Sequence, residues 1–83
     1  MGQKMSNKNK YLIDMKEGKK GTIMSICGGQ MATKRLMDLG LVPETRIKIL
    51  KKALFEGPVE IEFRGSKLVI GRGLAAKILV ESI

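Results

Sequence analysis

Cys27 carries the one thiol in this sequence, and there is no histidine to deprotonate it or to join it at a metal. A nucleophile of covalent catalysis needs a positioned base beside it, so that pairing has no visible members. Metal sites built on imidazole or paired thiolates are excluded for the same reason. Following an apolar strand, Cys27 reads as a small buried or half-buried hydrophobe. Glu60 and Glu62 stand two apart in a strand-like alternation and therefore share a face. A solvated strand surface accounts for them better than a weak carboxylate metal site does. Gly71-Arg72-Gly73 lacks the third glycine of a dinucleotide loop and the Gly-Lys-Ser/Thr ending of a phosphate loop. The expectation is a protein that is not an enzyme.

Charge is the other chemical resource. Lys and Arg number 16 against 8 acidic residues, a formal net charge of +8. Part of the excess lies in a polar leader, residues 1–10, with Lys4, Lys8 and Lys10 and little to bury; it is expected to be disordered. The remainder falls on strand and turn positions, chiefly Arg46, Lys48, Lys51 and Lys52, with Arg64, Lys67 and Arg72 as candidate neighbours. A solvated surface explains such a distribution. The sharper reading is a partner with an acidic face: nucleic acid, an anionic membrane or an acidic protein patch. Single-strand recognition on small barrels uses stacking aromatics, and only Tyr11, Phe55 and Phe63 are available, the last facing the core by its alternation. Leu54 and Phe55, apolar at a loop tip, either fold back or meet a protein.

The elements that must position these groups are short. Gly21 to Ile26 gives a first strand, with Thr22, Met24 and Ile26 on one face and Ile23 on the other. Gly28-Gly29 breaks it and admits a helix from Gln30 to Leu39, with Ala32, Leu36 and Leu39 as its apolar stripe. Gly40 then suits a left-handed stop, Leu41 folds back on Leu36, and Pro43 prevents continuation. Arg46 to Lys52 and Val59 to Arg64 alternate as strands, and Gly65-Ser66 reads as a type II′ turn returning Lys67 to Ile70 antiparallel. A helical turn, Leu74 to Lys77, and a last strand, Ile78 to Ser82, close the chain. Five short antiparallel strands with one inserted helix predict a mainly β protein, a small SH3-like barrel over residues 11–83, with an OB-like barrel as the alternative.

Taken in order, several segments resemble the FeoA family of ferrous iron transport proteins. They are Leu12 to Gly18, Gly21 to Ile26, Arg35-Leu36-Met37-Asp38-Leu39-Gly40-Leu41-Val42-Pro43-Glu44-Thr45, Gly57 to Ile61 and Leu74 to Val80. The resemblance runs from Tyr11 to Ile83 and leaves the leader unmatched. It implies an SH3-like barrel and a cytosolic accessory role in Fe(II) uptake, exerted on FeoB, the membrane transporter with a GTP-binding domain. It also carries a family association with transition metals, including domains of metal-dependent repressors. No ligand set for Fe2+ is visible in this chain, so no cofactor is expected.

The site expectations follow. Met31, Lys34 and Arg35 share a helix face away from the Ala32-Leu36-Leu39 stripe. They are expected to contact the transporter, together with Lys52, Leu54 and Phe55 of the following loop. Leu36, Leu39, Gly40, Leu41 and Pro43 are expected to act as structure. The alternatives are a basic barrel that binds nucleic acid and a metal-responsive regulatory domain. With no apolar run near the roughly 20 residues that span a bilayer, the expected location is the cytoplasm.

Overall fold

Six strands form one antiparallel sheet in the computed structural model, which describes residues 9–53 and 57–83. In chain order they are β1 (Asn9–Tyr11), β2 (Lys20–Ile26), β3 (Arg46–Lys52), β4 (Val59–Phe63), β5 (Ser66–Ile70) and β6 (Ile78–Ser82). Helix α1 (Gln30–Asp38) joins β2 to β3, and the one-turn α2 (Arg72–Ala75) joins β5 to β6. A 3-10 turn, Leu12–Asp14, follows β1. The strand order is β1-β6-β2-β3-β4-β5. Alternation supplies the inner face: Ile23, Ile47, Ile49, Val59, Ile61, Ile70, Ile78 and Val80 are buried, with Leu12, Met15, Leu36, Leu41 and Ala75 filling from the connections.

Two bulges bend the sheet around this core. One falls between Ile23 and Ser25 against β6, the other between Ile49 and Lys51 against β4. An extra residue on one strand interrupts the ladder and increases local twist, which curls a sheet on itself. The first bulge corrects the expected facing of β2. Met24 is the extra residue and is 43% exposed, while Ile26 is brought opposite Ile78, on the same side as Ile23. Simple alternation had put Ile26 and Met24 together; a bulge reverses the parity beyond it.

The β4–β5 hairpin is also shifted by one residue from expectation. Phe63 pairs with Ser66, so the turn residues are Arg64 and Gly65, with φ of 52° and 79°. Positive φ at both central positions is the type I′ pattern, whose twist matches the strands it joins. Strand β1 was not anticipated. It contains Asn9 and Lys10, assigned above to the leader, paired through their backbone to Glu81 and Val80. The helical turn before β6 starts at Arg72, two residues earlier than its composition suggested.

The stop of α1 follows the expected chemistry. Gly40 has φ of +92°, its amide donates to the Met37 carbonyl at 2.9 Å, and the Leu41 amide donates to the Leu36 carbonyl at 2.9 Å. Those two bonds define a Schellman motif, with buried Leu36 and Leu41 as its apolar pair. The stripe is narrower than its spacing implies. Leu36 is buried, Ala32 half-buried, and Leu39 is 44% exposed because it sits at the C-cap, where the chain is leaving the helix. Pro43 then opens a tight turn in which the Thr45 amide donates to the Val42 carbonyl at 3.1 Å. Glu44, next after the proline, takes φ of 76° and donates its amide to the Ile23 carbonyl at 2.7 Å. This is a type II arrangement with glutamate where glycine is usual, a conformation the bond to β2 helps to hold.

Two substitutions test these assignments. A Cβ at Gly40 would meet only the Phe63 ring, at 3.5 Å. Gly40→Ala should therefore lose stability through φ alone, by about 1 kcal/mol or more, a fall in Tm of about 4–8 °C. An unchanged Tm would remove the left-handed stop. Thr45 is 5% exposed and its hydroxyl has no hydrogen-bond partner among the described residues. Thr45→Val keeps the volume and deletes that hydroxyl, so thermal unfolding should show a gain of about 1 kcal/mol. A loss would mean that the hydroxyl is satisfied.

Candidate functional site

Helix α1 lies on the barrel through a narrow contact and so leaves most of its surface outward. Its approach depends on Gly28: a Cβ there would come within 2.7 Å of the Lys77 side chain and 2.9 Å of Ala32 Cβ. The neighbouring Cys27 amide donates to the Lys77 carbonyl at 2.6 Å, binding the start of α1 to the start of β6. With Leu36 taking the buried position, Met31, Lys34, Arg35, Met37, Asp38 and Leu39 are all exposed. Met31 is 86% exposed and so forgoes the burial that its side chain could contribute to the fold.

A groove follows one side of this helix. Met31, Lys34, Arg35, Asp38 and Leu74 line its first part; Arg35, Asp38, Leu39, Leu74 and Val69 line its second. Shared walls at Arg35, Asp38 and Leu74 make the two parts continuous, from the start of α1 to β5. Val69 is 60% exposed at its far end. A second depression, about 620 Å³, flanks the other side of α1 between Cys27, Thr33, Lys34 and Met37. Apolar side chains interleaved with cations can bury hydrocarbon against a protein while pairing with its carboxylates.

The structure thus brings Met31, Lys34 and Arg35 together, as their spacing implied, and adds Leu74, Val69 and Leu39. Val69 was within reach of sequence reasoning, since alternation from buried Ile70 turns it outward. Leu74 was not, because only packing brings α2 beside α1. Lys52 is placed differently from the contact expected of it. Its ammonium donates to the Ile13 carbonyl at 2.7 Å and its amide to Glu17 Oε2 at 2.9 Å, so the half-buried side chain fastens β3 to the turn after β1. Leu54 and Phe55 lie outside the described residues.

Cys27 corrects another expectation: it is exposed rather than buried. β2 ends at Ile26, and the residue after it points out where the chain turns towards α1. The Tyr11 hydroxyl donates to its sulfur at 4.0 Å, and the Ser25 hydroxyl lies 3.9 Å away. That hydrogen bond, followed by the charge of the neighbouring sulfur, holds the Tyr11 phenol above its ordinary range. Among the described residues no three of Cys, Asp and Glu converge as a protein-held cation would require. None of the helices among them is long and apolar enough to cross a membrane.

The FeoA domain family matches residues 10–82. A Methanocaldococcus jannaschii protein named "Putative Fe(2+) transport protein A" is 39% identical over 66 residues, spanning 80% of this chain and 78% of the relative. The crystal structure of an iron uptake regulatory protein (FeoA) is similar with a TM-score of 0.84 at 33% identity, covering 90% of this chain and 99% of the other. FeoA from Chlorobium tepidum, solved in solution, gives a TM-score of 0.81 at 31% identity, over 89% and 70% of the two chains. A manganese-dependent transcriptional repressor reaches 0.85 at 20% identity, over 99% of this chain and 46% of its own, a likeness of fold alone. The bent six-stranded sheet is the SH3-like barrel shared by these neighbours.

The exposure of Cys27 has a direct test. A chromogenic disulfide reagent added to the native protein should titrate the single thiol without denaturant. A thiol that reacts only after unfolding would return Cys27 to the interior.

Proposed function

The chain belongs to the FeoA family, which serves Fe(2+) transport, and from that premise we propose that it is a cytoplasmic accessory domain that docks on a FeoB-type membrane transporter and modulates it. The observation that carries this reading is the outward face of α1, where Met31 stands 86% exposed beside Lys34 and Arg35 on a groove continuous to Val69. Such a face suits a protein partner because a methionine adapts to an apolar pocket while guanidinium and ammonium groups choose carboxylates around it. The GTP-binding portion of the transporter is the partner favoured here.

Action by contact rather than catalysis fits the chemistry of the chain. There is no histidine, and the lone thiol has hydroxyl neighbours rather than a base. Iron is read here as the cargo of the system; among the described residues no three of Cys, Asp and Glu gather as a ligand set. The domain changes what the transporter does by stabilising one of its conformations, and its influence is limited to its difference in affinity between them.

Titration of the purified protein against the GTP-binding portion of its cognate transporter tests this. Saturable binding is expected. Met31→Glu or Arg35→Glu should weaken it by at least about tenfold, or 1.4 kcal/mol, with Tm little changed because both side chains are exposed. Undiminished binding by both variants would move the interface away from α1. Absence of binding to any cytosolic portion of the transporter would overturn the docking itself.

A further inference from the structure

A second charged surface lies on the sheet, away from the residues of the α1 groove. Lys20 of β2 stands directly across from Lys48 of β3. The Ile49 amide donates to the Lys19 carbonyl at 2.9 Å, so the Lys20–Lys48 pair is of the kind not bridged by its own hydrogen bonds. Side chains approach most closely at such positions. Thr22 and Arg46 form the next pair of this kind, flanked by the bond from the Ile23 amide to the Thr45 carbonyl. Lys20, Lys48 and Arg46 therefore leave the outer face together. Arg64 joins them from the β4–β5 turn, and the four cations line one depression of about 530 Å³.

Neutralisation within the fold is incomplete. Glu62 is the side-chain carboxylate lining the depression, standing between Lys48 on one side and Lys67 on the other, and Glu81 across from Thr22 is the second carboxylate of this outer face. Like charges set directly opposite oppose pairing of the strands, so sheet stability does not account for Lys20 facing Lys48. An external layer of negative charge would offset that repulsion. Ile83, 72% exposed, adds an apolar side chain to the same depression.

We infer that this face rests on the surface of an anionic phospholipid bilayer, with Lys20, Arg46, Lys48 and Arg64 among the headgroups and Ile83 towards their hydrocarbon boundary. Complementary charge selects the occupant, and the apolar element selects among anionic ones. Single-stranded nucleic acid would need exposed rings on which bases stack, and a duplex, held through its phosphates, offers no hydrocarbon layer to Ile83. This depression offers an isoleucine, while Phe63 at its margin is packed against the core. A bilayer takes basic residues at its surface and an aliphatic side chain just beneath. Since the α1 groove draws on other residues, a domain held here by lipid keeps that groove open to a protein embedded in or docked on the same membrane.

Co-sedimentation with vesicles tests the inference independently of any transporter. The intact protein should bind phosphatidylglycerol-containing vesicles, leave pure phosphatidylcholine vesicles unbound, and dissociate as salt rises. Lys20→Gln with Arg46→Gln should weaken binding about 25-fold, near fivefold for each basic residue removed from an anionic surface. Lys16→Gln with Lys77→Gln changes net charge equally outside the depression and should cost far less. Lys20→Gln alone should leave Tm unchanged or raised, since it relieves the facing lysines. Equal losses in the two double variants would reduce the effect to net charge and overturn the assignment. So would indifference to phosphatidylglycerol, or tighter binding to an oligonucleotide at the same salt.

Discussion

The amide of Leu41 reaching back to the carbonyl of Leu36 is the bond on which the placement of α1 depends. It ends α1 in a left-handed residue, turns the chain inward, and puts Leu41 and Leu36 side by side in the core. Because α1 buries Leu36 and little else, that stop fixes which residues face out. A helix continued by one more turn would carry Leu41 away from the barrel and break its bond to Leu36. The turn at Pro43 and Glu44 completes the arrangement by bonding to β2 before β3 begins. Connection and site are thus one construction.

The barrel allows two surfaces on a small chain because its core is made by the inner face of one sheet and by a few residues of the connections. The outer face is then released from packing, and so is most of α1. On α1 the released residues are apolar with cations between them; on β2, β3 and the β4–β5 turn they are cationic with one isoleucine. These are different chemistries suited to different partners, one a protein and the other a charged layer. A soluble surface does not require an 86% exposed methionine, nor does a stable sheet require facing lysines. Neither feature contributes to the fold, and the two proposed contacts are what would account for them.

Much of this was legible residue by residue. The alternation of β4, the bounds of β3 and β6, and the Gly40 stop follow from periodicity and backbone sterics, which act locally. The errors have local causes too. A bulge at Met24 reversed the facing of β2 beyond it, and no residue type announces a bulge. Arg64 at positive φ displaced the hairpin by one residue from where glycine alone would put it. β1 escaped notice because its three residues bury nothing and are held by backbone pairing to β6. Its type and its place after an apolar strand imply a buried or half-buried Cys27, whereas the end of β2 decides its direction.

The sequence by itself determined α1, the strands β3 to β6 with their alternation, the fold class they imply and the absence of histidine chemistry, because these rest on interactions within a few residues of one another. It also placed Met31, Lys34 and Arg35 on one helix face. Only the tertiary structure decided which distant groups meet: Leu74 and Val69 beside α1, Lys52 against Ile13, and Lys20 across from Lys48. Those juxtapositions are set by strand register and bulge position. Register is the cooperative result of closing a whole core, and a shift of one residue in it would have assembled different neighbours from the same side chains.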